Sequence, residues 1–242
     1  MHLRQTLDKA ERIAFFGGAG VSTESGIPDF RSGDGVFQAM QAFGHSPEYL
    51  LSIDCLRQEP ELFFKYYARF MLYLDAACNW AHRALAYLEA QGRLLGIATQ
   101  NIDGLHQAAG SKRVYELHGS VHRNHCLACG KRYSLAQMLE RLPAVPRCAC
   151  GGMIRPDVTL FGEMLDEEVT AAAIAAIRRA DTLIVGGTSL TVWPAAGLVD
   201  YFSGDTLIVM NKTPTPADAA ATLVVREGIA ESFRRAYPEL ES

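Results

Sequence analysis

Four cysteines stand in two close pairs, Cys126-x-x-Cys129 and Cys148-x-Cys150, with residues 130–147 between them. Two such knuckles can meet and present four thiolates at the corners of a tetrahedron, the arrangement of a structural zinc site. Four thiolates close the coordination sphere, so this zinc is expected to hold a small module together without touching substrate. His125 adjoins the first pair and is a lesser alternative ligand. Cys55 and Cys78 stand alone in apolar or helical context and read as small buried hydrophobes. A second chemistry is carried by Thr99-Gln100-Asn101-Ile102-Asp103-Gly104-Leu105-His106, an amide pair, a carboxylate and an imidazole in one run. Glu116-Leu117-His118-Gly119-Ser120 follows, and His118 sits where the cysteine module begins. With an ordinary pKa of about 6.5, His118 suits a general base at neutral pH. His2, His45, His82 and His122 show no pattern that favours function.

Gly17-Gly18-Ala19-Gly20 ends an apolar run and could turn its amides toward a phosphate. The usual dinucleotide fingerprint is not met, because its third glycine would fall at Thr23 and no strand with a terminal acid follows about twenty residues on. The glycines alone fit either a nucleotide loop of unusual form or a tight strand–helix turn. Turn formers follow directly, in Ser25-Gly26-Ile27-Pro28-Asp29-Phe30-Arg31.

These clusters need elements to carry them. Ile13–Phe16, Leu94–Ala98, Thr182–Val185 and Leu207–Met210 are short runs apolar on both faces, as in parallel strands of a helix-covered sheet. Helical patterns alternate with them: Ala81–Gln91, stopping at Gly92, and Glu167–Ala180, acidic at its start and basic at its end. Alternation of this kind predicts an α/β fold, a Rossmann-like doubly wound parallel sheet, with ligands at the carboxyl ends of the strands. The four runs end in Gly17–Gly20, Thr99–Asn101, Gly186–Ser189 and Asn211–Lys212, and all four polar clusters fall at that edge. Two stretches break the alternation. They predict a domain plan of 1–32, 79–118 and 156–242 for the Rossmann-like part, with a helical insertion at 33–78 and a zinc-binding module at 119–155 forming a smaller lobe. A helix over Tyr133–Pro146 is expected between the two knuckles, and a loop over Thr213–Ala220.

The 242 residues are 49% hydrophobic and 21% charged, ordinary for a globular protein with a sizeable core. The net charge of −4 argues against a nucleic-acid binder, and against a zinc-ribbon nucleic-acid module in particular. No apolar run approaches the roughly 20 residues of a membrane span. The start, MHLRQTLDKAER, reads as a short amphipathic helix without a signal-peptide core, which makes the cytoplasm the expected location.

Taken together the motifs resemble one family, the sirtuins, NAD-dependent protein-lysine deacylases. The resemblance rests on Gly18-Ala19-Gly20-Val21-Ser22, Ser25 to Arg31, Thr99 to Asp103, Glu116 to Gly119, the four cysteines, Arg155-Pro156, Phe161-Gly162-Glu163, Gly187-Thr188-Ser189-Leu190 and the strand ending at Asn211, in family order from about residue 10 to 230. Gly17 stands where many members have threonine. The resemblance implies NAD as a consumed co-substrate, one structural zinc, and an acyl-lysine peptide entering the cleft opposite NAD. It implies attack of the acyl oxygen on the ribose carbon, loss of nicotinamide, and release of lysine and O-acyl-ADP-ribose. His118 is then the base, with Asn101 positioning a water. Ala19, Thr23, Phe30 and Arg31 would line the NAD loop, and Gln100, Asn101, Ile102 and Asp103 the nicotinamide pocket. Thr188, Ser189, Asn211 and Ile229 would hold the adenosine half, and Val158, Phe161 and Gly162 would flank the acyl-lysine tunnel. Cys126, Cys129, Cys148 and Cys150 would bind the zinc.

Some members prefer acidic acyl groups through a tyrosine and an arginine three residues apart. Tyr66 and Arg69 have that spacing, but counting from Pro60 puts the matching positions at Tyr67 and Phe70, an apolar wall. Deacetylation, with longer apolar acyl groups allowed, is therefore expected ahead of desuccinylation. Mono-ADP-ribosyl transfer from the same cleft, and a non-catalytic NAD-binding regulator, are the readings from other classes.

Overall fold

The computed structural model describes residues 3–29 and 33–241. In chain order its helices and strands are α1 (Leu3–Leu7), β1 (Ile13–Gly17), α2 (Gly33–Phe43), α3 (Pro47–Leu50), α4 (Ile53–Gln58), α5 (Pro60–Phe70), α6 (Trp80–Ala90), β2 (Leu94–Thr99), α7 (Leu105–Ala108) and β3 (Val114–Glu116). They continue as β4 (Gly119–Cys126), β5 (Arg132–Ser134), α8 (Leu135–Leu139), β6 (Ile154–Val158), α9 (Glu167–Arg179), β7 (Thr182–Gly186), β8 (Thr206–Met210), β9 (Leu223–Val225) and α10 (Ile229–Ala236).

Six strands form one parallel sheet in the order β3-β2-β1-β7-β8-β9. Counted along the chain this is 3-2-1-4-5-6, the Rossmann order. The order reverses at β1, so the crevice at the carboxyl ends of β1 and β7 is the switch point. Alternation along β1 shows why both sheet faces are covered. Ile13 and Phe15 pack with α6 and α10, whereas Ala14 and Phe16 pack with α9 on the opposite face. All four are buried, at about 1.5–3 kcal/mol for each large side chain. The four apolar runs of the sequence are the four central strands. The edge strands β3 and β9, three residues each, are additions to that expectation.

A second sheet, antiparallel, has the order β5-β4-β6. It shares a core with the helical segment: Phe63, Phe64, Tyr66 and Tyr67 of α5 pack in one cluster with Val121, Cys126, Cys148 and Ile154. The helix expected over 133–146 is confined to α8. Tyr133 and Ser134 are drawn into β5, where Tyr133 pairs with Asn124, and Ser134 then caps α8 reciprocally with Gln137. The segment expected as a loop at 213–220 contains a 3-10 turn at Pro216–Ala220, capped by Thr215 and Asp218. Residues 155 and 156 are consecutive in β6, so the boundary drawn between them falls inside a strand.

Candidate active site

The loops after β1 and β7 meet at the switch point. Gly18 N donates to Gly186 O at 3.2 Å and Gly20 N to Gly187 O at 2.8 Å. A Cβ on Gly20 would lie 2.7 Å from Gly187 Cα, so these two backbones touch only because neither carries a side chain. The close crossing is what the tight-turn reading of the glycine run requires. The Gly18 and Gly20 amides are spent on the protein's own carbonyls, and the chain continues into 3-10 turns at Ala19–Val21 and Thr23–Ser25. The second turn is anchored at a distance: Glu24 accepts from the Ala230 amide at the start of α10, a carboxylate at a helix N-terminus.

Ser22 stands at the centre of a bonded set. It is buried, donates to Asp103 Oδ2 at 2.7 Å, and accepts from Asn101 Nδ2 at 3.0 Å. The other carboxylate oxygen of Asp103 accepts from the Leu105 amide at 2.9 Å. Gln100 is buried and donates to Thr188 Oγ1 at 3.0 Å, tying the end of β2 to the end of β7. Behind this loop lie two imidazoles, His82 on α6 and His106 on α7, with ring centroids 4.7 Å apart. Burial pushes His82 down to about 4, against a smaller upward pull from Asp103, and pushes His106 down as well.

His118 is half-buried between β3 and β4. Its Nδ1 lies 3.0 Å from Gln100 O. A carbonyl only accepts, so Nδ1 carries the hydrogen and, in the neutral ring, Nε2 carries the basic lone pair. The next residue, Gly119, has φ 74°, and a Cβ there would sit 1.9 Å from Asp157 O. Only glycine lets the chain turn there into β4 while Thr159 N bonds His118 O at 2.9 Å. The segment facing His118 is clamped from behind. Arg155 donates to both carboxylate oxygens of Glu163, at 2.6 and 2.9 Å, and to Val158 O at 2.6 Å. Burial raises the Glu163 carboxyl, but the Arg155 bonds, the Leu160 amide and the charges of Arg155 and Arg57 together outweigh it and hold the group below its usual range. Phe161 pairs with the α3–α4 junction through Phe161 N to Leu51 O and Ile53 N to Phe161 O, both 3.0 Å.

A cavity of about 670 Å³ joins these parts. Of the residues expected to act, it brings together Ala19, Gln100, Asn101, Ile102, Asp103, His118, Val158, Phe161 and Gly162. Thr23, Thr188, Ser189, Asn211 and Ile229 are not in its wall. Thr23 donates to Gly20 O, Ser189 bonds Thr191, and Asn211 bonds Thr213, each within its own loop. Ile229 is buried at the first position of α10. Phe30 and Arg31 lie outside the described residues. The acyl-selective positions also resolve: Tyr67 and Phe70 line the cavity, while Tyr66 and Arg69 do not, and Arg69 lies over the Phe70 ring at 5.1 Å. Sequence reasoning assigned no role to Ser22 or His82; the serine lay in plain view beside the glycine run, with no local signal of its distant partners.

The four cysteines converge with all sulfurs within 4.8 Å of one another. Two of the separations are 3.6 Å (Cys126–Cys150) and 3.7 Å (Cys129–Cys148). A tetrahedral zinc at about 2.3 Å from each sulfur has edges of about 3.8 Å, so the set fits the ion. The Cys150 amide and the Tyr133 hydroxyl pull the Cys148 thiol down, whereas at Cys150 the Gly152 amide pulls down and the neighbouring thiols push up by more.

Strand order, switch-point loops and cavity define a Rossmann-type protein that works at the carboxyl edge of its sheet, with a zinc-ribbon lobe attached. The Sir2 family model matches residues 18–194. An NAD-dependent protein deacetylase of Clostridium acetobutylicum is 50% identical over 230 residues, 95% of this chain and 94% of its own. A solved Sir2 complex with a p53 peptide and NAD+ superposes with TM-score 0.86 at 38% identity, covering 97% of this chain and 95% of that one. A Sir2 variant with deacetylated p53 peptide and 3'-O-acetyl ADP-ribose gives 0.89 at 37% identity, covering 99% and 98%. The chain belongs to the Sir2 family.

Proposed function

We propose that this chain removes acetyl groups from protein lysine side chains at the expense of NAD, releasing nicotinamide and O-acetyl-ADP-ribose. The observation that carries the reading is His118, its Nδ1–H fixed on the Gln100 carbonyl, in one cavity with Asn101 and Asp103 and with Val158, Phe161 and Gly162. Bound NAD supplies an activated ribose carbon and a leaving group. His118 takes the ribose hydroxyl proton at Nε2, and the Gln100 carbonyl steadies the imidazolium through Nδ1–H. Asp103 keeps lone pairs beyond its bonds to Ser22 and Leu105, and with these it accepts the hydrogens of the nicotinamide amide. Asn101, anchored by Ser22, orients a water. Ala19, Thr23, Phe30, Arg31, Gln100 and Ile102 complete the NAD loop and its pocket. Thr188, Ser189, Asn211 and Ile229 take the adenosine half, at the ends of β7 and β8 and the start of α10. The apolar wall keeps bulk water from the reacting atoms.

We assign one structural zinc to Cys126, Cys129, Cys148 and Cys150. We also read two lobes: a Rossmann-like one of 1–32, 79–118 and 156–242, and a small one of 33–78 and 119–155. Separate apolar clusters support two bodies, with Val158 and Leu160 of the 156–242 piece packed in the small lobe's cluster. The partners are acyl-lysine proteins, without nucleic acid or membrane. Among the described residues no helix is long and apolar enough to cross a membrane, and we place the protein in the cytoplasm.

The test is mass spectrometry of an acetyl-lysine peptide with the purified protein, with and without NAD. The reading expects deacetylated peptide, nicotinamide and O-acetyl-ADP-ribose in equal amounts, and only with NAD. Nicotinamide release with ADP-ribose on protein and the acetyl group intact would instead make the chain a mono-ADP-ribosyltransferase.

A further inference from the structure

The cysteine module carries a charge surplus that the cavity does not use. Between Gly119 and Arg155 the sequence has five arginines and one lysine against a single acid, Glu140, in a chain whose net charge is −4. Three of these cations are spent on acids at its border. Arg123 pairs with Glu116 at 2.7 Å, Arg132 with Asp157 at 2.6 Å and Arg155 with Glu163 at 2.6 Å. Lys131, Arg141 and Arg147 have among them only Glu140, which meets Arg141 at 3.3 Å.

The remaining cations gather beside the sulfurs. Lys131 Nζ and Arg141 Cζ lie 5.4 and 5.6 Å from the centroid of the Tyr133 ring, and Arg147 directly precedes Cys148. Tyr133 is buried, and its hydroxyl donates to Cys148 Sγ at 3.0 Å. The sulfurs also accept from main-chain amides: those of Ala128 and Cys129 at Cys126, Cys150 at Cys148 and Gly152 at Cys150. Tyr133 differs from these in being a side chain, and two cations stand over its ring.

Four thiolates around a Zn²⁺ ion leave two negative charges on the centre. Lys131, Arg141 and Arg147, less Glu140, leave two positive ones. Basic side chains on a solvated face need no explanation of their own. A solvated face, however, has no reason to place two of them over a buried phenol that is bonded to a sulfur. A cation over the ring draws on its electrons, and a phenol so polarised is a stronger donor.

We infer that Tyr133, polarised by Lys131 and Arg141, is a positioning residue of the zinc site and sets how tightly the ion is held. The inference rests on the assignment of zinc to the four cysteines. The O–H···S bond draws charge from the Cys148 thiolate, and the two cations offset part of what remains on the centre. Partners of metal ligands commonly change metal affinity by about 10–100-fold.

The experiment measures zinc affinity by competition with a chromogenic chelator, for the native chain, for Tyr133→Phe and for the double variant Lys131→Gln with Arg141→Gln. Phenylalanine keeps the ring and the cations and removes only the O–H. Tyr133→Phe is expected to hold zinc about tenfold more weakly. The double variant is expected to hold it about threefold more weakly, a loss that shrinks as salt is raised. Co²⁺ in place of zinc gives a readout that packing alone does not move. The thiolate-to-metal charge-transfer band should shift to longer wavelength in Tyr133→Phe, because Cys148 loses a donor and becomes richer in electrons. Native affinity in either variant, or weakened affinity with an unmoved cobalt band in Tyr133→Phe, overturns the inference. A native chain that takes up no zinc sinks the zinc assignment as well.

Discussion

Cys126, Cys129, Cys148 and Cys150 come from a single stretch and meet across one β-ribbon, whereas Ser22, Asn101, Asp103, His118 and Phe161 reach their cavity from the ends of four separate segments. The first arrangement depends on local chain and an ion. The second depends on the whole sheet being in register, because β1, β2 and β7 must all end at one level before their loops can bond one another. Each is rigid for a different reason. The cysteine cluster would be closed by metal–ligand bonds, whereas the cavity is closed by hydrogen bonds between loops far apart in sequence, such as Gln100 to Thr188 and Asn101 to Ser22.

That contrast can be broken most forcefully by taking the metal away. Structural zinc in small modules is worth on the order of 10 kcal/mol, comparable to the whole stability of a domain. Chelation, or Cys148→Ser, is expected to abolish hydrogen-exchange protection in β4, β5 and β6 while β1, β7 and β8 keep theirs. Activity should fall with the ribbon, because Val158 and Phe161 are carried by it. Equal loss of protection in both sheets, or no loss in either, would dissolve the distinction.

A smaller effect tests the other side. His82 and His106 lie beneath the Asp103 loop, and burial holds His82 at about 4 where an unfolded chain has 6.5. As pH falls below 6.5 the unfolded chain takes up a proton that the folded chain refuses until about 4. The stabilisation is therefore complete above 6.5 and is lost between 6.5 and 4. At pH 5 the loss from this one group is about 2 kcal/mol, with His106 acting in the same direction and the nearby Asp103 against it. Urea melts from pH 8 to 5 should show a flatter profile in His82→Gln than in the native chain. Parallel profiles would mean that the imidazole does not stay neutral in the fold.

What could be read in advance follows the same division. Cysteine spacing is local, so all four ligands were legible, as were the four central strands, whose apolar runs face helices on both sides. Edge strands β3 and β9 escaped notice because three half-exposed residues carry no periodicity. The helix expected over 133–146 was too long: Tyr133 is held in β5 by Asn124 and its hydroxyl reaches Cys148, contacts that local propensity does not encode. Its true start was signalled by Ser134 and Gln137, a capping box. The glycine run left two readings open for a physical reason, since the same small residues serve a close backbone crossing as well as a phosphate. His118 stood out beside its glycine, but Ser22 acquires its meaning only from partners in the folded chain.

The central claim is that His118 is the base of the reaction and no part of the scaffold. Its sharpest test is steady-state deacetylation of an acetyl-lysine peptide by His118→Ala, with melting temperature and NAD binding recorded on the same sample. The account predicts a fall in kcat of about 10²–10⁴-fold, the usual worth of a general base, with melting and NAD binding close to native. A variant that folds, binds NAD and still deacetylates within a few-fold of the native rate would contradict it.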